Sequence, residues 1–164
     1  MNIKRISVEQ TYHLRQQILR PNQGIEDCKF PEDYEDMTAH FGAFESKKLV
    51  GIVSVFEKLF VEPESNKIKA FNQNTHRRNW QIRAMATDES VRGKGYAMAL
   101  LESVEAYVLT YAVENKSKVH LPLIWCNARS SAVGFYKKAN HQVSGKEFEI
   151  EGVGPHFRMK KIVS

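Results

Sequence analysis

The segment Arg92-Gly93-Lys94-Gly95-Tyr96-Ala97 constrains the fold of this 164-residue chain more than any other segment. It follows a strand-like run at residues 81–87 and precedes an amphipathic helix. The two glycines allow a sharp turn and close approach of the backbone to a ligand. The start of a helix offers unpaired N–H groups and a positive dipole end, and Arg92 and Lys94 add positive charge. The segment therefore predicts a site for a phosphate or pyrophosphate.

Three kinds of phosphate-binding motif can be compared with this segment. A P-loop needs Gly-x-x-x-x-Gly-Lys-Ser/Thr, which the sequence lacks, and a dinucleotide fingerprint needs a third glycine where Met98 stands. The spacing Arg92-x-x-Gly95-x-Ala97 instead resembles the pyrophosphate-binding motif of the GNAT superfamily of N-acetyltransferases, Q/R-x-x-G-x-G/A. Taken alone, the six residues also fit a basic glycine turn that caps a helix.

Composition narrows the class of protein. The length predicts one domain over residues 1–164, and the net charge of +5 favours an anionic partner, either a polyanionic cofactor or nucleic acid. The densest basic cluster, residues 76–78, is too short for a nucleic-acid arm. Cys28 and Cys126 have no metal spacing, which predicts no metal site and a reducing cytoplasm. The sequence predicts neither a signal peptide nor a membrane span.

Periodicity and turn residues predict the order of the elements. We expect strands at residues 3–8, 41–44, 49–56, 79–87, 119–126, 142–150 and 156–163, helices at 9–20, 90–115 and 130–139, a loop or short irregular helix at 21–38, and a loop at 62–78. Asn140 is expected to end the third helix in the left-handed conformation. This order predicts a single mixed α/β (α+β) sheet with helices on both faces.

The resemblance to the GNAT superfamily covers essentially the whole chain. It implies a mostly antiparallel sheet with a splayed central pair of strands, here residues 79–87 and 119–126. It further implies an enzyme that transfers an acetyl group from acetyl-CoA to a primary amine without a metal. The pyrophosphate would bind at residues 92–97, and the pantetheine arm would pair with the backbone of Met85, Ala86 and Thr87.

The family's F/L-Y-x-K/R-x-G-F element is similar to residues 135–141. It implies that Tyr136 protonates the leaving thiolate; the alternative is a tyrosine that packs on the sheet with its hydroxyl in water. The family's Gly-Phe is replaced here by Asn140-His141. Arg129 stands where the family often carries an asparagine, and the nearest asparagine, Asn127, is a candidate for binding the cofactor.

The acceptor side of the reaction is less constrained by the sequence. His156, after a rigid turn, is a candidate proton acceptor, and the alternative is a histidine in a surface turn. Arg15, Arg20, Arg83 and Arg129 are candidates for binding the acceptor and would favour a carboxylate or phosphate, and the alternative for each is a salt-bridged or solvated residue. The acidic residues of loop 21–38 argue for a cationic acceptor, so the sign of its charge stays open.

Two other functions compete with the enzyme hypothesis. A non-catalytic acyl-CoA-binding or sensing domain would keep the glycine turn without needing Tyr136. A small nucleic-acid-binding protein is suggested by the net charge alone, and it would need exposed aromatic residues among the basic ones. We therefore predict a cytoplasmic N-acetyltransferase, as a monomer or homodimer, that acts on a small molecule or peptide amine and binds neither nucleic acid nor a membrane.

Overall fold

The computed structural model describes residues 1–62, 78–114 and 121–164, with residues 112–114 described by their backbone alone. In these ranges the chain forms a mixed, open sheet of seven strands, mostly antiparallel with one parallel pair, together with three α-helices. The predicted fold class is therefore confirmed. Most of the predicted loop 62–78 lies outside the described residues, as do residue 115 of the second predicted helix and residues 119–120 of the fifth predicted strand.

The strands and helices have the following bounds. The strands are β1 (Asn2–Arg5), β2 (Ala39–Glu45), β3 (Lys48–Glu57), β4 (Asn79–Thr87), β5 (Leu123–Arg129), β6 (Gln142–Ile150) and β7 (Gly154–Ile162), in the sheet order β1-β2-β3-β4-β5-β7-β6. The α-helices are α1 (Glu9–Leu14), α2 (Tyr96–Glu114) and α3 (Val133–Lys138). Short 3₁₀ turns span Ile25–Cys28, Pro31–Tyr34, Glu89–Val91 and Ser130–Ala132, and a π-helix spans Arg15–Leu19.

The chain divides into two compact units, Met1–Phe56 with Ile82–Ala106, and Glu57–Gln81 with Tyr107–Ser164. In the first unit, β1, β2 and β3 pair in antiparallel register, with Ile3 opposite Ala43. Residues 50–56 of β3 are all buried, as expected for a central strand covered on both faces. The prediction of one domain over residues 1–164 stays a prediction.

The second unit is built on the antiparallel strands β5, β7 and β6. Phe60, Leu123 and Trp125 form its apolar cluster, in which the rings of Phe60 and Trp125 meet edge to face at 5.9 Å. The Trp125 indole Nε1–H donates to the Lys58 carbonyl at 2.9 Å. This bond satisfies the polar atom of an otherwise buried aromatic residue.

Two predicted helices have different bounds in the structure. The helix predicted at residues 9–20 is α-helical only to Leu14 and continues as a π-helix, which closes with the Arg20 N–H bonded to the Arg15 carbonyl at 3.1 Å. The helix predicted from residue 90 begins at Tyr96 because Gly93 and Gly95 have φ angles of 75° and 84°, which are incompatible with a right-handed helix. The prediction for the start of this helix was wrong.

The remaining differences concern the ends of elements. The strand predicted at 119–126 runs instead from Leu123 to Arg129, because its last residues pair with β7. The third helix is 3₁₀ until Ala132, and Asn140, with φ 63°, takes the predicted left-handed conformation. β1 ends at Arg5, before the position predicted, and β7 begins two residues earlier, at Gly154.

Candidate functional site

The predicted phosphate-binding turn lies in the first unit, between the 3₁₀ turn Glu89–Val91 and α2. The first helical bond of α2 in this turn runs from the Ala99 N–H to the Gly95 carbonyl, at 3.1 Å. The amides of Tyr96, Ala97 and Met98 come before that bond in the chain. The helix therefore has no carbonyl one turn earlier that could accept a hydrogen bond from these amides. The Lys94 N–H already donates to the Val91 carbonyl at 3.2 Å. The donors that the turn can offer are therefore those of the first turn of α2.

The two glycines of the turn keep the space in front of these amides open. A Cβ atom placed on Gly93 would meet nothing within 4 Å among the described residues, and one placed on Gly95 would meet only the Met1 methyl carbon, at 3.8 Å. Both glycines are exposed. Their side-chain-free surface thus leaves room for a bulky anion beside the helix start.

Charged and polar side chains hold the turn from both ends. Asp88 caps the 3₁₀ turn by accepting from the Ser90 N–H at 2.9 Å, and its bonds to Ser90 lower the pKa of Asp88 to about 2. At the helix start, Glu45 accepts from the Tyr96 hydroxyl at 3.4 Å and lies 3.8 Å from the Lys94 Nζ. Burial raises the pKa of Tyr96. Glu45 therefore orients two of the predicted cofactor-binding residues through their side chains.

β4 carries a backbone feature that the sequence did not reveal. Ala84 has φ 51°, in the left-handed region that non-glycine residues rarely adopt. It lies directly before Met85, Ala86 and Thr87, of which Ala86 is buried and the other two are half-buried. Alanine is not a residue that signals such a conformation, so no pattern in the sequence could have indicated it. A strained residue next to a predicted ligand-binding strand is a typical marker of a functional site.

Arginines from three elements surround the Phe30 ring in the first unit. The guanidinium carbons of Arg15, Arg20 and Arg83 lie 4.5, 5.4 and 3.9 Å from the ring centroid. Arg83 also lies 3.7 Å from a Glu32 carboxylate oxygen. Burial lowers the pKa of Arg83. The structure thus brings three of the predicted acceptor-binding arginines, Arg15, Arg20 and Arg83, to one aromatic residue.

Tyr136 lies in the second unit, on α3, and is buried rather than exposed to water. Its hydroxyl forms a hydrogen bond with the Cys126 thiol of β5, and burial, with this thiol beside it, raises the pKa of Tyr136 well above its ordinary value. The His141 ring contacts the Tyr136 ring edge to face at 5.3 Å. The alternative reading of Tyr136, with a solvated hydroxyl, is therefore wrong.

His141 takes the place of the buried aromatic residue that the family pattern led us to expect. It is buried, its backbone N–H donates to the Tyr136 carbonyl at 2.9 Å, and its Nδ1 lies 3.3 Å from the Ala139 carbonyl. Among the described residues, its Nε2 is buried without a hydrogen-bond partner. Burial lowers the pKa of His141 to about 4, so the ring is neutral and packs as an aromatic residue.

The candidates Asn127, Arg129 and His156 lie on neighbouring strands of the second unit, with Arg129 opposite His156 in the register of β5 and β7. His156 is buried, and its Nδ1 lies 2.7 Å from the Gly154 carbonyl, an arrangement that leaves Nε2 as the basic nitrogen. Because side chains alternate along a strand, Asn127 faces away from the side of β5 that carries Cys126 and Tyr136. Asn127 and Tyr136 therefore lie at opposite faces of β5.

Arg158 is a residue of this region that sequence reasoning missed. Its Nε donates to the Asn127 Oδ1 at 3.3 Å, and one of its terminal nitrogens donates to the Val61 carbonyl at 2.7 Å. Its guanidinium lies 5.3 Å from the Trp125 ring centroid. Register alone would have placed it opposite Asn127, but register becomes known only with the fold. Arg158 orients the Asn127 amide so that its NH₂ group points away from the guanidinium.

Two absences concern residues 1–62, 78–114 and 121–164. In those ranges, the His, Cys, Asp and Glu side chains form no group of three or more that could hold a metal ion. No helix within the same part of the chain is both long and apolar enough to cross a membrane.

Comparison with known proteins gives a consistent family. A family model described as an acetyltransferase (GNAT) domain matches residues 15–163. The uncharacterized N-acetyltransferase YitI of Bacillus subtilis strain 168 is 33% identical over 161 residues, which cover 98% of this chain and 95% of that protein.

Solved structures share the fold at low sequence identity. An aminoglycoside 6'-N-acetyltransferase complexed with coenzyme A superposes with a TM-score of 0.70 at 13% identity, covering 100% of this chain and 98% of the other. Arabidopsis thaliana NAA60 in complex with acetyl-CoA gives a TM-score of 0.66 at 14% identity, covering 99% of this chain and 98% of the other. At these identities the likeness concerns the fold.

Proposed function

Since the chain belongs to the GNAT family of acetyltransferases and is an acyltransferase, we propose that it moves an acetyl group from acetyl-CoA to a primary amine. The acceptor is a small molecule or a peptide. The proposal rests on the open glycine turn before α2, which places the first amides of the helix beside the exposed residues Arg92 and Lys94. Two structural neighbours carry coenzyme A or acetyl-CoA, which supports the same cofactor here.

In this proposal the pyrophosphate binds the residues of the glycine turn, Arg92 to Ala97. The pantetheine arm pairs with the backbone of Met85, Ala86 and Thr87, and the break in β4 at Ala84 supports this assignment because it disturbs the regular strand just before them. The Asn127 amide, oriented by Arg158, donates to the same cofactor. A structure with acetyl-CoA bound whose pantetheine arm lies away from residues 85–87 would contradict the assignment.

The chemistry that we propose is direct attack of the amine on the thioester. Tyr136 acts as general acid towards the departing CoA thiolate, and its raised pKa means that the phenol carries its proton before the transfer begins. His156 accepts the amine proton through Nε2, directly or through water, because Nδ1 is held by the Gly154 carbonyl. Arg20, Arg83 and Arg129 are the proposed acceptor-binding residues. Two buried free cysteines, Cys28 and Cys126, support a reducing, cytoplasmic setting.

The first experiment tests the cofactor site with Gly95→Val. A valine side chain would occupy the space kept open beside the first amides of α2, so we expect acetyl-CoA affinity, measured by calorimetry, to fall roughly 10- to 100-fold, the loss of one or more charge-assisted hydrogen bonds. The matched control is Gly152→Val, because Gly152 has a similar φ of 73° and open surroundings but lies in the β6–β7 turn.

The two variants separate backbone strain from loss of the ligand site. Equal acetyl-CoA affinity in folded Gly95→Val and wild-type protein would place the cofactor elsewhere. Tight acetyl-CoA binding by the wild type, with no CoA release in the presence of any amine tested, would instead favour the alternative function, a non-catalytic acyl-CoA-binding domain.

A further inference from the structure

The three arginines around Phe30 differ in how their donors are used. Arg15 is buried, and its terminal nitrogens donate to both carboxylate oxygens of Asp33 at 2.7 and 2.9 Å, to the Cys28 carbonyl and to the Ser54 hydroxyl, while its Nε has no hydrogen-bond partner among the described residues. This arginine is a structural element of the first unit.

Arg20 is also engaged within its own loop. Its terminal NH1 donates to the Gln23 Oε1 at 3.1 Å and to the Asp27 carbonyl at 2.8 Å. These contacts tie the guanidinium to residues that follow it closely in sequence. Arg20 therefore stabilises the loop after the π-helix.

Arg83 has the same aromatic contact but a different hydrogen-bonding state. Among the described residues its guanidinium makes no hydrogen bond, and the Glu32 oxygen at 3.7 Å lies beyond hydrogen-bonding distance. Its side chain is 30% exposed, so part of the group can be reached by a ligand. The guanidinium carbon lies 3.9 Å from the Phe30 ring centroid, and this packing restricts the orientation of its fork of N–H donors. Arg83 is thus a half-buried cation that is paired with Glu32 but makes no hydrogen bond among the described residues.

The acidic residues of the neighbouring loop do not form a free anionic surface. Three of its six carboxylates have partners other than Arg83: Glu26 with Lys29, Asp27 with the Gly24 N–H, and Asp33 with Arg15. This pairing weakens the argument from sequence for a cationic acceptor. Of the three arginines around Phe30, Arg83 is the one whose guanidinium makes no hydrogen bond among the described residues.

We infer that the acceptor amine carries a carboxylate and that Arg83 binds this carboxylate through its guanidinium fork. The inference rests on the proposed N-acetyltransferase function and names its acceptor class. A monoanionic carboxylate fits better than a phosphate, because Glu32 already places one negative charge beside Arg83 and would repel a dianion more strongly. Arg83 lies two residues before Met85, about 7 Å along the strand from the proposed cofactor-pairing segment.

The experiment compares amines in matched pairs. Each pair is an α-amino acid and its carboxamide, with an aminoalkyl phosphate as a separate arm, and CoA release is followed with acetyl-CoA. We expect the wild type to prefer the amino acid of a pair. Arg83→Gln should raise KM for the amino acid about 10- to 100-fold with kcat little changed, and should leave the carboxamide unaffected.

Two further variants make this result specific. Arg83→Lys keeps the charge without the fork, so we expect an intermediate KM for the amino acid. The matched control is Arg78→Gln in the second unit, because Arg78 also lies 3.7 Å from a glutamate oxygen and 5.9 Å from a tyrosine ring centroid. Arg78→Gln should preserve the preference for the amino acid.

A binding measurement keeps the inference testable without turnover. We expect N-acetyl amino acids, but not their amides, to bind the CoA-loaded wild type and to lose affinity in Arg83→Gln. Equal effects of Arg83→Gln on both members of a pair, a preference for the phosphate arm, or no binding of any N-acetyl amino acid would overturn the inference. The proposed function would fail separately, by absence of acetyl-CoA binding to the wild type.

Discussion

The glycine turn before α2, the proposed cofactor site, and the surroundings of Tyr136, the proposed general acid, differ in their exposure and in the source of their polar groups. The glycine turn is exposed, and its chemistry comes from backbone amides and from two φ angles that glycine allows. Tyr136 is buried, and its chemistry comes from a side chain whose pKa is raised by desolvation and by the Cys126 thiol. The comparison shows that the exposed turn depends on its backbone conformation, whereas the properties of the buried phenol depend on the groups around it.

The largest effect is expected at the buried site. If Tyr136 protonates the CoA thiolate, Tyr136→Phe should lower kcat by ~10²-fold or more while leaving acetyl-CoA affinity nearly unchanged. The control is Tyr111→Phe in the same unit, because its hydroxyl pairs with the Tyr107 hydroxyl at 3.2 Å, outside the proposed chemistry. As a companion variant, His156→Ala should also lower kcat if this histidine accepts the amine proton. Full activity of Tyr136→Phe would show that positioning alone drives the transfer.

The second prediction concerns His141, which packs on the Tyr136 ring, and the pH dependence of stability rather than catalysis. The pKa of His141 falls from 6.5 to about 4 on folding, so the unfolded chain takes up this proton first. The contribution of His141 to the free energy of unfolding is therefore complete above pH 6.5. It decreases by about 3 kcal/mol as the pH falls to about 4. His141→Phe should remove this part of the pH dependence in urea unfolding.

The pKa of His40 is also lowered by burial, but His40 is present in both the wild type and His141→Phe. Its contribution to the pH dependence of stability is therefore the same in the two proteins. His13→Phe, at an exposed position of α1, is the control and should keep the wild-type pH dependence. An unchanged slope between pH 6.5 and 4 in His141→Phe would mean that the buried ring does not couple folding to protonation.

The smallest effect is expected at the exposed turn. The Lys94 ammonium is 57% exposed, so solvent screens its attraction for a phosphate. Lys94→Gln should weaken acetyl-CoA binding only about two- to fivefold and reduce the salt dependence of the affinity. Lys47→Gln, in the exposed β2–β3 turn, is the control. A loss as large as that of Gly95→Val would mean that the side-chain charge, rather than the backbone, carries the affinity.

The sequence determined the glycine turn, the order of strands and helices, and the left-handed Asn140, because each depends on local chemistry. Glycine spacing, apolar periodicity and the tolerance of asparagine for positive φ act within a few residues. Tyr136 became a candidate through the resemblance of residues 135–141 to the family's F/L-Y-x-K/R-x-G-F element, and His156 through its place after a rigid turn.

Only the tertiary structure decided which neighbouring groups hold the side chains of the candidate residues in place. The π-helix at Arg15–Leu19 and the strained Ala84 have no local signal, since both follow from contacts that the rest of the fold imposes. The difference between Arg20 and Arg83 is likewise invisible in sequence: the two side chains are chemically identical, and only their partners separate an engaged guanidinium from an available one. Hydrogen bonds between distant residues and desolvation arise from the folded arrangement, which a reading of neighbours along the chain does not contain.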